Sequence, residues 1–257
     1  MRRFAVAFAV VVGLLVVGCT APAAPSGAAP VTASLSAASA PVSVAATVTA
    51  IDGRGNLYVS TGNANPFPDG AGPDPKRYTE SVVKLSLALT VLASFKDRTA
   101  NADLDLSTGN PVLLPGGLVF AVGKTNIGFL LRQSDLHQVA AIRGVCASNP
   151  DGGPAYYAAK QEVLVPCRGG GIRVVDIGSR KTGGLWSGAN STPIVVGARA
   201  WAASYDGDVL YQYDVASGRV RQRFGIAAGV PNFATPAVAA GRLYLGTMTG
   251  VAAFGPR

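Results

Sequence analysis

Three cysteines are the side chains of this sequence whose type and placement bear most directly on chemistry. Cys19 closes the string Val16-Val17-Gly18-Cys19, behind Arg2-Arg3 and an apolar run from Phe4 to Val17. That run is shorter than the roughly 20 residues of a membrane span, and its charged start and small-residue end are those of an export signal. A thiol directly after Val-Val-Gly has the form of a lipobox, in which the cysteine is diacylated and becomes the new N-terminus. A plain signal peptide with an incidental cysteine is the alternative. With Cys19 so used, Cys146 and Cys167 form an even pair, for which an oxidising compartment makes a disulfide the default. A zinc site competes with that reading, but two thiols with no nearby histidine make a poor zinc set.

Other apparent motifs weaken when their spacing is counted. Gly123-Lys124-Thr125 has the end of a phosphate-binding loop, but Gly117 stands one residue too far upstream and no helix follows. The single histidine, His137, sits in the polar turn Gln133–Gln138, which excludes a histidine-rich metal site. Asp206-Gly207-Asp208 reads as a hairpin turn, with Asp-Gly supplying positive backbone angles. Asn190-Ser-Thr is a glycosylation sequon by pattern alone. Trp186, Trp201, Tyr205, Tyr211 and Tyr244 could stack on a sugar, with core packing between repeat units as the competing role of Trp201 and Tyr244.

The elements that must position these residues repeat. Thr192-Pro193, Arg199-Ala-Trp-Ala202 and Asp206-Gly207 recur 43 residues later as Thr235-Pro236, Arg242-Leu-Tyr-Leu245 and Thr249-Gly250. A unit of about 40–45 residues, each an apolar run, a glycine turn and a second apolar run, has the period of a four-stranded propeller blade. Earlier copies contain Val163–Cys167 with Ile172–Ile177, Leu118–Val122 with Ile127–Leu131, and Asn56–Ser60 with Ser81–Leu85. The first is interrupted by Gly62–Glu80, a Pro-, Gly- and Asn-containing insertion of the kind that carries binding residues. The expected organisation is a signal over 1–19, an Ala/Pro/Ser-rich tether over 20–42, and an all-β propeller domain of about five blades over 43–257. Blades of larger propellers turn by roughly 45–50° each, so five leave more than roughly 100° unfilled, and the expected assembly is an open arc or incomplete ring.

At this point the residues resemble a known group. Leu57-Tyr-Val-Ser-Thr-Gly-Asn63 with Ser81-Val-Val-Lys-Leu85, and then Asp103-Leu-Asp-Leu106, Gly109–Gly117 and Val119-Phe-Ala-Val-Gly-Lys124, are similar to successive blades of the pyrroloquinoline-quinone (PQQ) propeller superfamily. The Cys146/Cys167 pair and the unit beginning Phe233-Ala-Thr-Pro236 resemble PQQ-binding-like repeat proteins of bacteria. In quinoprotein dehydrogenases the resemblance makes Asn63 a calcium ligand and places Asp103 or Asp105 near the catalytic base. A hard cation takes such amide and carboxylate oxygens, and a nearby carboxylate can accept the substrate proton. The family's further ligands come from blades before the Thr-Gly-Asn unit, where this chain has its signal and tether.

Three functions are therefore carried forward. The first is a non-enzymatic, lipid-anchored propeller on the outer face of a cytoplasmic membrane, binding a protein or cell-envelope polymer. The second is a degenerate or truncated PQQ- and calcium-dependent dehydrogenase, and the third a carbohydrate-binding or sensor module. The formal charge of +8 falls to +6 without Arg2 and Arg3 and is spread along the chain, which argues against nucleic acid. The lipobox makes one outcome testable: Cys19→Ser should release the protein from membranes and abolish incorporation of labelled palmitate, and unchanged, unlabelled membrane association would exclude lipidation.

Overall fold

Alternating apolar runs and glycine turns fold into five antiparallel sheets that follow one another along the chain, in a computed structural model that describes residues 50–62, 78–99 and 104–255. The signal, the tether and most of the Gly62–Glu80 insertion lie outside the described residues, as do Cys19, Asn63 and Asp103. Sheet 1 comprises β1 (Ala50–Ile51), β2 (Leu57–Ser60), β3 (Ser81–Leu85) and β4 (Val91–Lys96). Sheet 2 comprises β5 (Val112–Leu114), β6 (Leu118–Val122), β7 (Ile127–Arg132) and β8 (Gln138–Arg143). Sheet 3 has β9 (Ala155–Tyr157), β10 (Glu162–Pro166), β11 (Ile172–Asp176) and β12 (Lys181–Trp186). Sheet 4 has β13 (Ile194–Val196), β14 (Arg199–Ser204), β15 (Val209–Asp214) and β16 (Val220–Gly225). Sheet 5 has three strands, β17 (Ala237–Ala239), β18 (Arg242–Thr247) and β19 (Gly250–Phe254).

Each sheet is a meander, and the first strands stand side by side, β1 next to β5, β5 next to β9 and β9 next to β13. Burial follows from that stacking. The middle strands are apolar on both faces because both are covered, so β6 reads Leu-Val-Phe-Ala-Val without polar alternation. Val119 and Ala121 face sheet 1, whereas Phe120 and Val122 face sheet 3. Outer strands sit in solvent and carry charge, as Lys181 in β12 and Arg221 and Arg223 in β16 illustrate. In sheets 1 to 4 the third and fourth strands pair through a register shift.

Four hydrophobic clusters lie between the five sheets. Tyr58, Val82 and Phe129 join sheets 1 and 2, and Phe120, Leu130 and Val163 join sheets 2 and 3. Leu164, Trp186 and Tyr213 join sheets 3 and 4, and Leu210, Ile226 and Leu245 join sheets 4 and 5. Among the described residues no cluster and no strand pairing joins sheet 5 to sheet 1. The outward faces of both end sheets are solvent-exposed, with Ile51 62% and Val251 72% accessible. The β-propeller repeat is therefore an open arc.

Two sequence expectations change in detail. Trp201 does pack against sheet 5, but its repeat partner Tyr244 lies on the far face of the last sheet, where no further sheet among the described residues covers it. In the hairpin after β14 the left-handed residue is Asp208, at φ 48°, rather than Gly207. Asp208 Oδ1 accepts the Val230 N–H and its carbonyl the Ile226 N–H, so this turn is fixed by the connector to sheet 5.

Cys146 and Cys167 are disulfide-bonded, with 5.6 Å between their Cα atoms. The bridge ties the connector leading to sheet 3 to the end of β10, and both residues belong to the cluster between sheets 2 and 3. Crosslinking a loop of this size removes unfolded-state entropy equivalent to about 3 kcal/mol. The double variant Cys146→Ala/Cys167→Ala should lose about that much in denaturant unfolding, with an m-value equal to or above the parent's because its unfolded chain is less compact, and a midpoint equal to the parent's would refute the assigned role.

Candidate functional site

The connector between consecutive sheets and the turn between second and third strands meet at the same end of the arc, and each sheet clasps the two differently. In sheet 2 the Lys124 N–H donates to the Asp105 carbonyl, and Lys124 Nζ lies 2.7 Å from Asp105 Oδ2. In sheet 3 the disulfide is joined by hydrogen bonds from Asp151 N to the Pro166 carbonyl and from Arg168 N to the Asn149 carbonyl. In sheet 4 Asn190 uses its whole amide: Nδ2 donates to Asp206 Oδ2, and Oδ1 accepts the Tyr205 N–H. Asn190 is fully buried, so the sequon is a structural clasp.

Two glycines permit this closeness. A Cβ on Gly123 would come within 2.4 Å of Leu106 Cα, and one on Gly62 within 2.6 Å of Asp105 Oδ1. The Gly-Lys-Thr string is thus explained by packing: Gly123 lets the turn approach the Leu106–Thr108 3-10 turn, Lys124 pairs with Asp105, and Thr125 Oγ1 donates to Asp97 Oδ2 at 2.9 Å. His137 lies exposed in a turn at the opposite end of its sheet.

Between the connectors and turns of sheets 2 to 5 opens a cleft of about 390 Å³. Asp105, Lys124, Asp151, Arg168, Thr192 and Phe233 line it, drawn from all four sheets' connectors and turns. Its charges are partly satisfied from within. Lys124 holds Asp105, and the Tyr205 hydroxyl donates to Asp151 Oδ2. Burial, followed by that bond to Asp151, raises the Tyr205 pKa above the ordinary tyrosine value. Arg168 is exposed at the rim, and Phe233 is 49% accessible with φ 62°. An exposed bulky residue in left-handed backbone costs on the order of 1–3 kcal/mol and survives only where its surroundings hold it.

Behind the cleft, Glu80 is 1% accessible. Its Oε2 accepts the Leu106 N–H at 2.9 Å, and among the described residues its Oε1 has no hydrogen-bond partner. Burial pushes its pKa up to about 7, with Asp105 and Asp97 raising it and Lys96 lowering it. Glu80 therefore braces the 3-10 turn carrying Ser107 and Thr108 of the cleft, at the cost of burying a carboxyl group.

Of the residues implied by the quinoprotein resemblance, Asp105 alone is described, and its carboxylate is held by Lys124. Among the described residues no group of three or more His, Cys, Asp or Glu could hold a metal ion. Sequence reasoning missed Phe233, Arg168 and Glu80. Backbone angle, rim exposure and an orphaned oxygen arise from packing, and a one-dimensional pattern carries no signal of them.

No family model matches the sequence, and no curated protein sequence matches it. Among solved structures the chain is similar to BamB from Moraxella catarrhalis, at a TM-score of 0.57 and 14% identity over 83% of this chain. The match spans 62% of that structure's chain. At this identity the likeness bears on the fold, and it supports a β-propeller repeat architecture.

The Glu80 geometry sets a pH dependence. Its folded pKa of about 7 stands above the ordinary glutamate value of 4.5, so the folded state holds a proton that the unfolded chain releases between those values. The group's contribution is complete below pH 4.5 and is lost as pH rises to 7. Glu80→Gln should raise the thermal midpoint at pH 8 by several degrees and leave it nearly unchanged at pH 4.5. Equal shifts at both pH values would contradict the assignment.

Proposed function

We propose that the protein is a non-enzymatic propeller scaffold of the cell envelope, held to a membrane through Cys19, that binds another protein over the cleft at the loop end of the arc. The carrying observation is Phe233: an aromatic ring nearly half exposed, on left-handed backbone, beside a cleft rimmed by Arg168. Exposed aromatic and arginine side chains on a rigid frame are the usual anchors of protein interfaces. The frame is rigid because each contributing loop is clasped to its own sheet.

Lys124 already holds Oδ2 of Asp105, which favours binding over proton abstraction by that oxygen. A sugar-binding cleft would gather several aromatic faces, and Phe233 is the single aromatic residue lining this one among the described residues. The membrane attachment rests on the lipobox and tether of the sequence.

A photo-crosslinking amino acid at Phe233 should give a defined adduct with a protein of the envelope. The same group at Ser134, in a turn at the opposite end of sheet 2, should not. Adding Arg168→Glu should reduce the adduct severalfold. Equal adducts from both ends of the arc, or dye-linked alcohol oxidation by the chain reconstituted with PQQ and calcium, would defeat this reading.

A further inference from the structure

Strand β19 differs from every other outer strand of the arc. The outer strands of sheets 1 to 4 each carry a lysine or arginine, Lys96 in β4, Arg143 in β8, Lys181 in β12 and Arg221 in β16, and each pairs with its inner neighbour through a register shift. Charge and bulging are two of the devices by which natural sheets keep their edges from pairing. β19, Gly250-Val-Ala-Ala-Phe254, has neither: it is uncharged and pairs with β18 in unbroken register from Thr247↔Gly250 to Leu243↔Phe254. By position it corresponds to β15, which in sheet 4 is covered by β16. Among the described residues nothing pairs with the outer side of β19.

We propose that β19 is a self-association edge, pairing antiparallel with β19 of a second copy of this chain about a two-fold axis at Ala252. The two-residue turn Met248-Thr249 makes Thr247 and Gly250 a reciprocally bonded pair. It follows that the main-chain groups of Gly250, Ala252 and Phe254 bond β18, and those of Val251 and Ala253 point outward. A two-fold axis at Ala252 sets Val251 against Ala253 of the second copy, so the outward groups satisfy one another in two reciprocal pairs. The side chains match as well. Ala252 meets Ala252 where the strands come closest, Val251 meets an alanine, and Phe254 stands over the second copy's Gly250, an aromatic covering a bare backbone. No like charges are opposed. A two-fold axis requires a strand complementary to its own reverse, and this sequence is.

The test places a thiol on the axis. Facing residues of a non-bonded antiparallel pair lie about 4.5 Å apart at Cα, within disulfide reach. Full-length Ala252→Cys, in detergent extracts of expressing cells and oxidised with copper phenanthroline, should run as a covalent homodimer in most of the population. The parent chain and Val139→Cys, on the edge strand β8, define the background. Adding Ala253→Pro removes one outward N–H, leaves the bonds to β18 intact, and should abolish the dimer. Dimer no more abundant than in Val139→Cys, dimer indifferent to Ala253→Pro, or an adduct whose mass fits a different protein would each overturn self-pairing.

Discussion

A β-sheet with two apolar faces must be covered on both, and the rest of this structure depends on that requirement. The middle strands of sheets 2 to 4 send alternate side chains into the sheet before and the sheet after, as Val119 and Phe120 do from adjacent positions. Each interface is thus made jointly by two repeats, and no sheet is stable alone. Five sheets have four such interfaces and two ends. The exposure of Ile51 on one end face and Val251 on the other is the direct result. Stacking also fixes the direction of the loops, because strands packed face to face bring all their connectors to one end.

At that end the repeat supplies a frame, and the individual residues supply the chemistry. A carboxylate and an ammonium clasp sheet 2, a disulfide clasps sheet 3, and a buried amide clasps sheet 4. These three linkages occupy equivalent places and differ in chemistry, an ion pair, a disulfide and an amide–carboxylate hydrogen bond. Their common effect is to spend polar groups on holding loops in place, which leaves Phe233 and Arg168 at the rim for contact with something else. Among the described residues one Glu80 oxygen is orphaned behind the frame that the other braces, a departure from the rule that buried polar groups are satisfied.

The sequence alone determined the architecture, its period and the strand and turn plan within each unit, and it made a Cys146–Cys167 bridge the default expectation. These features are legible because they are written in residue type and spacing. Strands buried on both faces read as continuously apolar runs, many tight turns use glycine, and an even pair of cysteines in an oxidising compartment is expected to bridge. Tertiary structure decided the rest. Trp201 and Tyr244 are equivalent in the repeat, yet one is packed and the other faces outward, because burial depends on whether a neighbouring sheet exists. Lys124 and Asp105 lie nineteen residues apart and meet through the folding of one sheet's turn onto its connector, whereas Asp151 and Tyr205 lie fifty-four apart and meet through stacking. The cleft is a property of loops from four units meeting at one end, so no single unit contains it and no repeat pattern could have announced it.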